Sequence, residues 1–144
     1  FKEEEDDMVT GEDRNLRVIK EFRENGGIVG GDFEGASLLL LTTVGSRSGN
    51  MITKPLMYLL DGTRFIIFAS KAGAPDNPSW YSNLVTNPSV LVEVGTESFH
   101  GHSETVLGVE RDTLYDKQVT LYPRFGDYQN KTNRIIPVVA ITRT

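Results

Sequence analysis

Three strand-like runs, residues 37–44, 50–60 and 64–70, follow one another with only the turns 45–49 and 61–62 between them. Glycine and aspartate in those turns supply the backbone freedom that hairpins demand, so the strands they join are expected to pair antiparallel. Residues 89–94 form a fourth run, 96–106 a further candidate with poor alternation, and 135–142 an apolar, β-branched one. Pro137 marks that last run as an edge or a bulge. A largely antiparallel sheet of about six strands has edges to hide, and closure into a barrel hides them.

The helices fit around such a sheet. Leu16, Ile19 and Phe22 recur at three-residue spacing among charges, which predicts an amphipathic helix over 14–26, stopped by Gly26 and Gly27. Residues 78–86 read as a short helix closed by Asn87 and Pro88. Residues 108–122 read as a longer one with Val109, Leu114 and Val119 as candidate buried positions. The expected class is mainly β with two or three flanking helices (α+β). The GSRSG turn at 45–49 lacks both the GxGxxG spacing and the strand–helix setting of a dinucleotide-binding motif.

Composition narrows the chemistry. The 144 residues suit one domain, read as 14–144 behind an acidic, flexible head at 1–13. That head holds seven acids and one lysine, and the remainder carries 13 acids against 14 bases, so the net charge of -5 belongs to the head. A nearly neutral body is a poor match for nucleic acid. Without cysteine there are no disulfides, thiolate nucleophiles or cysteine-held metals. His100 and His102, with Glu104, read as polar residues on an exposed strand face, and no metal is expected. Two histidines also make a Ser–His–Asp triad a weak reading. The chain opens on Phe1, which implies sequence upstream of it, and no run of apolar residues is long enough to span a membrane.

One stretch stands out within this acidic chain. No aspartate or glutamate occurs between Glu34 and Asp61, and over 38–80 Arg47, Lys54, Arg64 and Lys71 meet only Asp61 and Asp76. The turn Ser46–Arg47–Ser48–Gly49 combines amides, hydroxyls and a guanidinium, a competent receptor for phosphate or carboxylate; a solvated hairpin turn is the ordinary alternative. Lys54 lies on the next strand beside Pro55, which interrupts the ladder and leaves room for a ligand, although lysine also commonly guards a strand edge. Ser70 and Lys71 tip an apolar strand, where a hydroxyl and an ammonium can meet a ring carbonyl and an anionic tail. Trp80 and Tyr81 either stack on a planar ligand or fill the core. Tyr122, Phe125 and Tyr128 suit an apolar pocket whose phenols donate hydrogen bonds or a proton, with structural aromatics as the alternative. Pro123 and Gly126 argue against one helix through them.

The segments LLTTVGSRSG, PLMYLLDGTRFIIFASKAG, NPSWYSNLVTNPSVLVEVG and YPRFGDYQNKTNRIIPVVAI, in this order, resemble the deazaflavin-dependent nitroreductase family over residues 14–143. The resemblance implies a split β-barrel of the FMN-binding type that uses coenzyme F420. It implies cofactor contacts at Arg47, Ser48, Gly49, Lys54, Pro55, Ala69, Ser70, Lys71, Trp80 and Tyr81, and acceptor chemistry at Tyr128, Tyr122 and Ser70. Three positions depart from the family pattern: Ser46 replaces a basic residue, Phe125 a tyrosine, and Met57 a tyrosine on the strand. Such changes alter the acceptor more readily than they abolish hydride transfer. The expected activity is therefore an F420H2-dependent reductase acting on an electron-poor small molecule such as an enone, quinone or nitro compound. An FMN-dependent enzyme on the same barrel, a non-catalytic F420 carrier and a β-domain that binds neither remain as alternatives. Cytoplasmic location is expected, with peripheral membrane contact if the acceptor is a quinone, and monomer and homodimer both fit.

Overall fold

The computed structural model describes residues 2–144, with side chains described for 12–31 and 33–144. Helix α1 (Lys2–Glu24) leads into seven strands: β1 (Leu38–Val44), β2 (Met51–Met57), β3 (Leu59–Asp61), β4 (Arg64–Phe68), β5 (Ser89–Val94), β6 (Glu97–Val106) and β7 (Val138–Arg143). Helix α2 (Ser79–Thr86) sits between β4 and β5, and α3 (Gly108–Leu121) and α4 (Arg124–Lys131) fill the connection from β6 to β7. All pairings are antiparallel, in the order β2–β1–β5–β6–β7–β4–β3.

The two edge strands of this sheet, β2 and β3, are consecutive in sequence with only Tyr58 between them. One residue cannot cross a flat sheet of seven strands spaced about 4.8 Å apart. The sheet therefore curls until its edges meet, giving a half-barrel. Its inner face packs Leu39, Leu41, Ile67, Val92, Val139 and Ile141, closed at one end by Trp80 and Leu84 of α2. Its outer face is covered in two patches. Helix α1 lays Val18, Ile19 and Phe22 on Leu38 and Leu40, and α3 and α4 lay Leu114, Tyr115 and Phe125 on Ile66, Phe68, Val138 and Ala140. Strands covered on both faces read as unbroken apolar runs, which is why β1 is LLLLTTV. Each of these buried side chains contributes roughly 1.5–3 kcal/mol of transfer free energy.

The architecture matches the expected α+β barrel, with local corrections. Tyr58 breaks the run 50–60 into two strands. Strand β7 is central rather than an edge, because Pro137 lies one residue before it and the missing N–H falls outside the ladder. Pro55 does not interrupt its ladder: the register runs through Leu40↔Pro55 on an edge strand, whose free side needs no donor. Strand β6 alternates cleanly, but two of its inward residues are Gly101 and Ser103, which carry no apolar signal. A Cβ at Gly101 would stand 2.7 Å from Ile141 Cγ2. Leu16 (62% exposed) and Val109 (82% exposed) face outward, and Val18 takes the position expected of Leu16. Helix α1 begins well before residue 14. Helix α4 is continuous across Gly126, with Pro123 just ahead of it.

Tyr115 ties α3 to α4, donating to the Phe125 carbonyl at 2.6 Å. Burial pushes its phenol up to about 12. The folded value lies above the unfolded one, so this stabilisation is complete below about pH 10 and is lost as pH rises toward 12. Tyr115→Phe, which removes that hydrogen bond between α3 and α4, should cost about 1 kcal/mol at pH 7. Urea unfolding of the variant should also show a smaller fall in stability between about pH 10 and 12 than the parent.

Candidate active site

A groove of about 850 Å³ opens where the sheet edge meets α2 and α4. Strand β2 supplies Lys54, Pro55, Leu56 and Met57, and the loop after β4 supplies Ser70, Lys71 and Ala72. Trp80 forms the floor, Phe125 and Tyr128 the far wall, and Arg14 and Asn15 of α1 reach the rim. Among the described residues, Lys54, Lys71, Arg124 and Arg14 line it with one carboxylate, Asp76, and Arg14 has a partner of its own. Its size and its mixture of aromatic wall with few polar groups are those of a small-molecule site.

Eight of the residues singled out from the sequence thus converge here: Lys54, Pro55, Met57, Ser70, Lys71, Trp80, Phe125 and Tyr128. Arg47 and Ser48 line an adjoining cavity of about 440 Å³, and Ser79 borders both spaces, so the turn extends the groove. Gly49, with φ +74, closes that turn. The turn's amides are less available than its sequence suggests. Gly45 N donates to Asn50 O at 2.7 Å, Ser46 N to Asn83 Oδ1 at 3.0 Å and Gly49 N to Gly45 O at 2.9 Å, while Asn50 N donates to Ser48 Oγ at 3.1 Å. Asn83, itself buried, donates to Thr43 Oγ1 at 3.1 Å, and the turn is therefore rigidly anchored. The Arg47 guanidinium and the amides of Arg47 and Ser48 are its groups left for an anion among the described residues.

Four of the site residues expected from the sequence lie outside both linings, Gly49 of the turn and three others. Ala69 is fully buried beneath the groove. Tyr81 packs on the inner core with its hydroxyl 3.0 Å from Thr105 Oγ1. Tyr122 stands beside the groove, with the Arg124 guanidinium 5.6 Å from its ring centroid.

The loop that presents Ser70 and Lys71 is strained. Lys71 and Ala72 hold φ of 47 and 53°, followed by Gly73 at 81°. The two non-glycine residues cost roughly 1–3 kcal/mol each. Gly73 packs against α4, where a Cβ would meet the Tyr128 carbonyl at 2.8 Å. The loop is held from below by Arg134, whose guanidinium reaches four oxygens, those of Ala69, Ser70, Ala74 and Asn77, at 2.7–3.1 Å. Sequence reasoning missed Arg134, because backbone carbonyls leave no trace in a sequence. It also missed Arg124, which lies 3.1 Å from Met57 Sδ and over Phe125, and the groove-lining Arg14, Asn15 and Phe33.

The hydroxyls of Ser70 and Tyr128 and the ammonium groups of Lys54 and Lys71 have no hydrogen-bond or ion-pair partner among the described residues. The Tyr128 ring is fixed edge-on against Phe125 at 5.1 Å. An aromatic and aliphatic wall, free hydroxyls and excess positive charge together suit a planar ligand with an anionic tail. Deazaflavin with its phosphate and carboxylates fits that donor set.

Comparison with known proteins gives the same direction. An F420H(2)-dependent quinone reductase of Mycobacterium tuberculosis (strain H37Rv) is 36% identical over 126 residues, covering 85% of each chain. A solved F420-H2 dependent reductase, FDR-A, is 36% identical with a TM-score of 0.67 over 73% of this chain and 93% of its own. The heme storage protein HutZ of Vibrio cholerae, 16% identical with a TM-score of 0.58 over 88% of this chain, shares the fold alone. The family model for F420H(2)-dependent quinone reductase matches residues 15–143, and the chain belongs to that family of F420-dependent oxidoreductases.

Proposed function

We propose that this protein binds coenzyme F420 in the groove and reduces an electron-poor acceptor, a quinone first among them, with enones and nitro compounds as electronic equivalents. The observation that carries this reading is the joining of two lysines and two hydroxyls, unpartnered among the described residues, with an aromatic floor in one cavity. Reduced deazaflavin supplies the hydride, and the protein supplies position and electrostatics. Lys54 and Lys71, with Arg47 at the adjoining turn, hold the acidic tail, while Trp80 and Ser70 hold the ring. Lys54, Lys71 and Arg47 together exceed what a phosphate alone needs, which favours the long-tailed cofactor over FMN.

Tyr128, which lines the groove with its hydroxyl unpartnered among the described residues, donates a hydrogen bond to the acceptor oxygen as negative charge develops there. It also gives that oxygen the proton that completes a hydroquinone. Phe125 and Met57 make the acceptor side apolar, suited to a quinone ring. Cytoplasmic location, with contact at a membrane surface for a lipid quinone, accords with this chemistry; no described helix is long and apolar enough to cross a membrane.

The test is oxidation of F420H2 by menadione, followed by the return of F420 absorbance. Turnover that depends on both protein and menadione supports the reading, whereas F420 binding with no acceptor-dependent oxidation makes the protein a carrier. Tyr128→Phe should lower kcat about 100-fold, the low end of the range for a positioned acid, with F420 affinity within about twofold of the parent. Unchanged turnover would remove Tyr128 from the mechanism.

A further inference from the structure

Ser70 is right-handed (φ -76, ψ -41) and Lys71 left-handed (φ 47), the backbone sequence in which consecutive N–H groups converge into a concavity that accepts an anion or a carbonyl oxygen. The amides of Ser70, Lys71 and Ala72 donate to no group among the described residues, and all three residues line the groove. Arg134 lies on the opposite side of this loop. Its Nη1 donates to Ala69 O at 3.1 Å and its Nη2 to Ser70 O at 2.7 Å. In a trans peptide the N–H points opposite to the carbonyl, and no peptide bond here is cis. Drawing the Ala69 and Ser70 carbonyls toward Arg134 therefore turns the Ser70 and Lys71 amides away from it. The remaining donors fix the end of the loop, Nε to Ala74 O at 2.9 Å and Nη1 to Asn77 Oδ1 at 2.8 Å. Every hydrogen-bond partner of this guanidinium is a neutral oxygen, so it serves as a template for carbonyls and not as half of an ion pair. Its own backbone is tied to α4, where Gln129 Nε2 donates to Arg134 O at 2.7 Å.

We propose that Arg134 is a positioning residue that folds the 69–77 loop around its guanidinium and thereby presents the Ser70, Lys71 and Ala72 amides as a receptor for an oxygen of the bound cofactor. The occupant rests on the F420 reading above, but the shaping of the loop does not. A planar fork of donors is needed to reach four oxygens, and a lysine ammonium offers fewer donors without that geometry.

The test uses full-length Arg134→Lys and Arg134→Gln, with amide hydrogen exchange, F420 titration and steady-state kinetics side by side. Exchange at Gly73 and Ala74, whose amides bond within the loop, should accelerate at least tenfold in both variants while β5 and β6 amides keep parental rates. The F420 Kd should rise at least tenfold in Arg134→Gln and less in Arg134→Lys, with kcat at saturating F420H2 within about threefold. Unchanged loop exchange, or protection lost evenly across the sheet, overturns the proposal, since Arg134 is then idle or a general stabiliser. If the parent protein binds no F420, the cofactor reading fails, and the exchange pattern alone decides what Arg134 does.

Discussion

Exchanging Lys54 and Lys71 together for glutamate is expected to weaken binding of long-tailed F420 by about 100-fold at low salt. Both ammonium groups line the groove, and neither is paired to a carboxylate among the described residues, so their charge is available to a ligand. An exposed ion contact is worth roughly 0.2–1 kcal/mol. Reversing two charges removes two attractions and adds two repulsions, in all about 3 kcal/mol, which is about 100-fold in Kd. The difference should shrink as salt is raised, since the Debye length falls to about 8 Å near physiological ionic strength. Lys20→Glu, on the exposed side of α1 and paired to Glu24 at 3.8 Å, makes the same kind of charge change away from the groove. It should leave affinity within about twofold. A fluorescence titration of the three proteins separates a local charge site from a general charge effect.

Gly73→Ala is expected to be the most damaging single methyl in the site, costing about 2–4 kcal/mol and lowering Tm by about 10 °C. Two penalties coincide there: φ is +81, and the new Cβ would stand 2.8 Å from the Tyr128 carbonyl and 3.1 Å from Lys131 Cβ. Relief requires the loop and α4 to part, which displaces Tyr128 and Lys71 from one another and weakens cofactor binding as well. Gly62 isolates the backbone contribution. It has φ +62 with nothing within 4 Å of a new Cβ, so Gly62→Ala should cost only about 1–2 kcal/mol. Equal losses in the two variants, measured by thermal unfolding, would show that the α4 contact carries no weight.

The sheet was legible because turn chemistry and apolar runs are local signals; the 45–49 turn and the runs around it needed no tertiary knowledge. What failed was whatever depends on a neighbour. Strand β6 hid its inward face behind Gly101 and Ser103, chosen by the approach of Ile141 and by the Pro88 carbonyl that Ser103 Oγ meets at 3.1 Å. Pro137 reads from sequence as the mark of an edge or a bulge, yet it lies just outside the ladder, its carbonyl accepting from Ala69 N at 2.9 Å. The excess of cations over 38–80 was visible in composition. That Lys54, Lys71, Trp80 and Tyr128 share one groove was reached only through the family resemblance, since nothing in their spacing brings them together. Arg134 escaped both routes, because its partners are three main-chain oxygens and the Asn77 side-chain oxygen, 57 to 65 residues away. The anion-binding reading of the GSRSG turn rests on open amides, yet three of its five are consumed within the protein, one of them by a buried asparagine on α2. Its contribution therefore narrows toward Arg47 and the Ser48 amide.

The central claim is tested most directly by titrating oxidised F420 into the purified protein by fluorescence, with tail-free deazaflavin and FMN run in the same buffer. The account predicts saturable binding of F420, binding of the tail-free form at least about tenfold weaker, and little binding of FMN. FMN binding as tight as F420, or deazaflavin affinity that ignores the tail, would contradict the assignment of Lys54, Lys71 and Arg47 to an acidic tail.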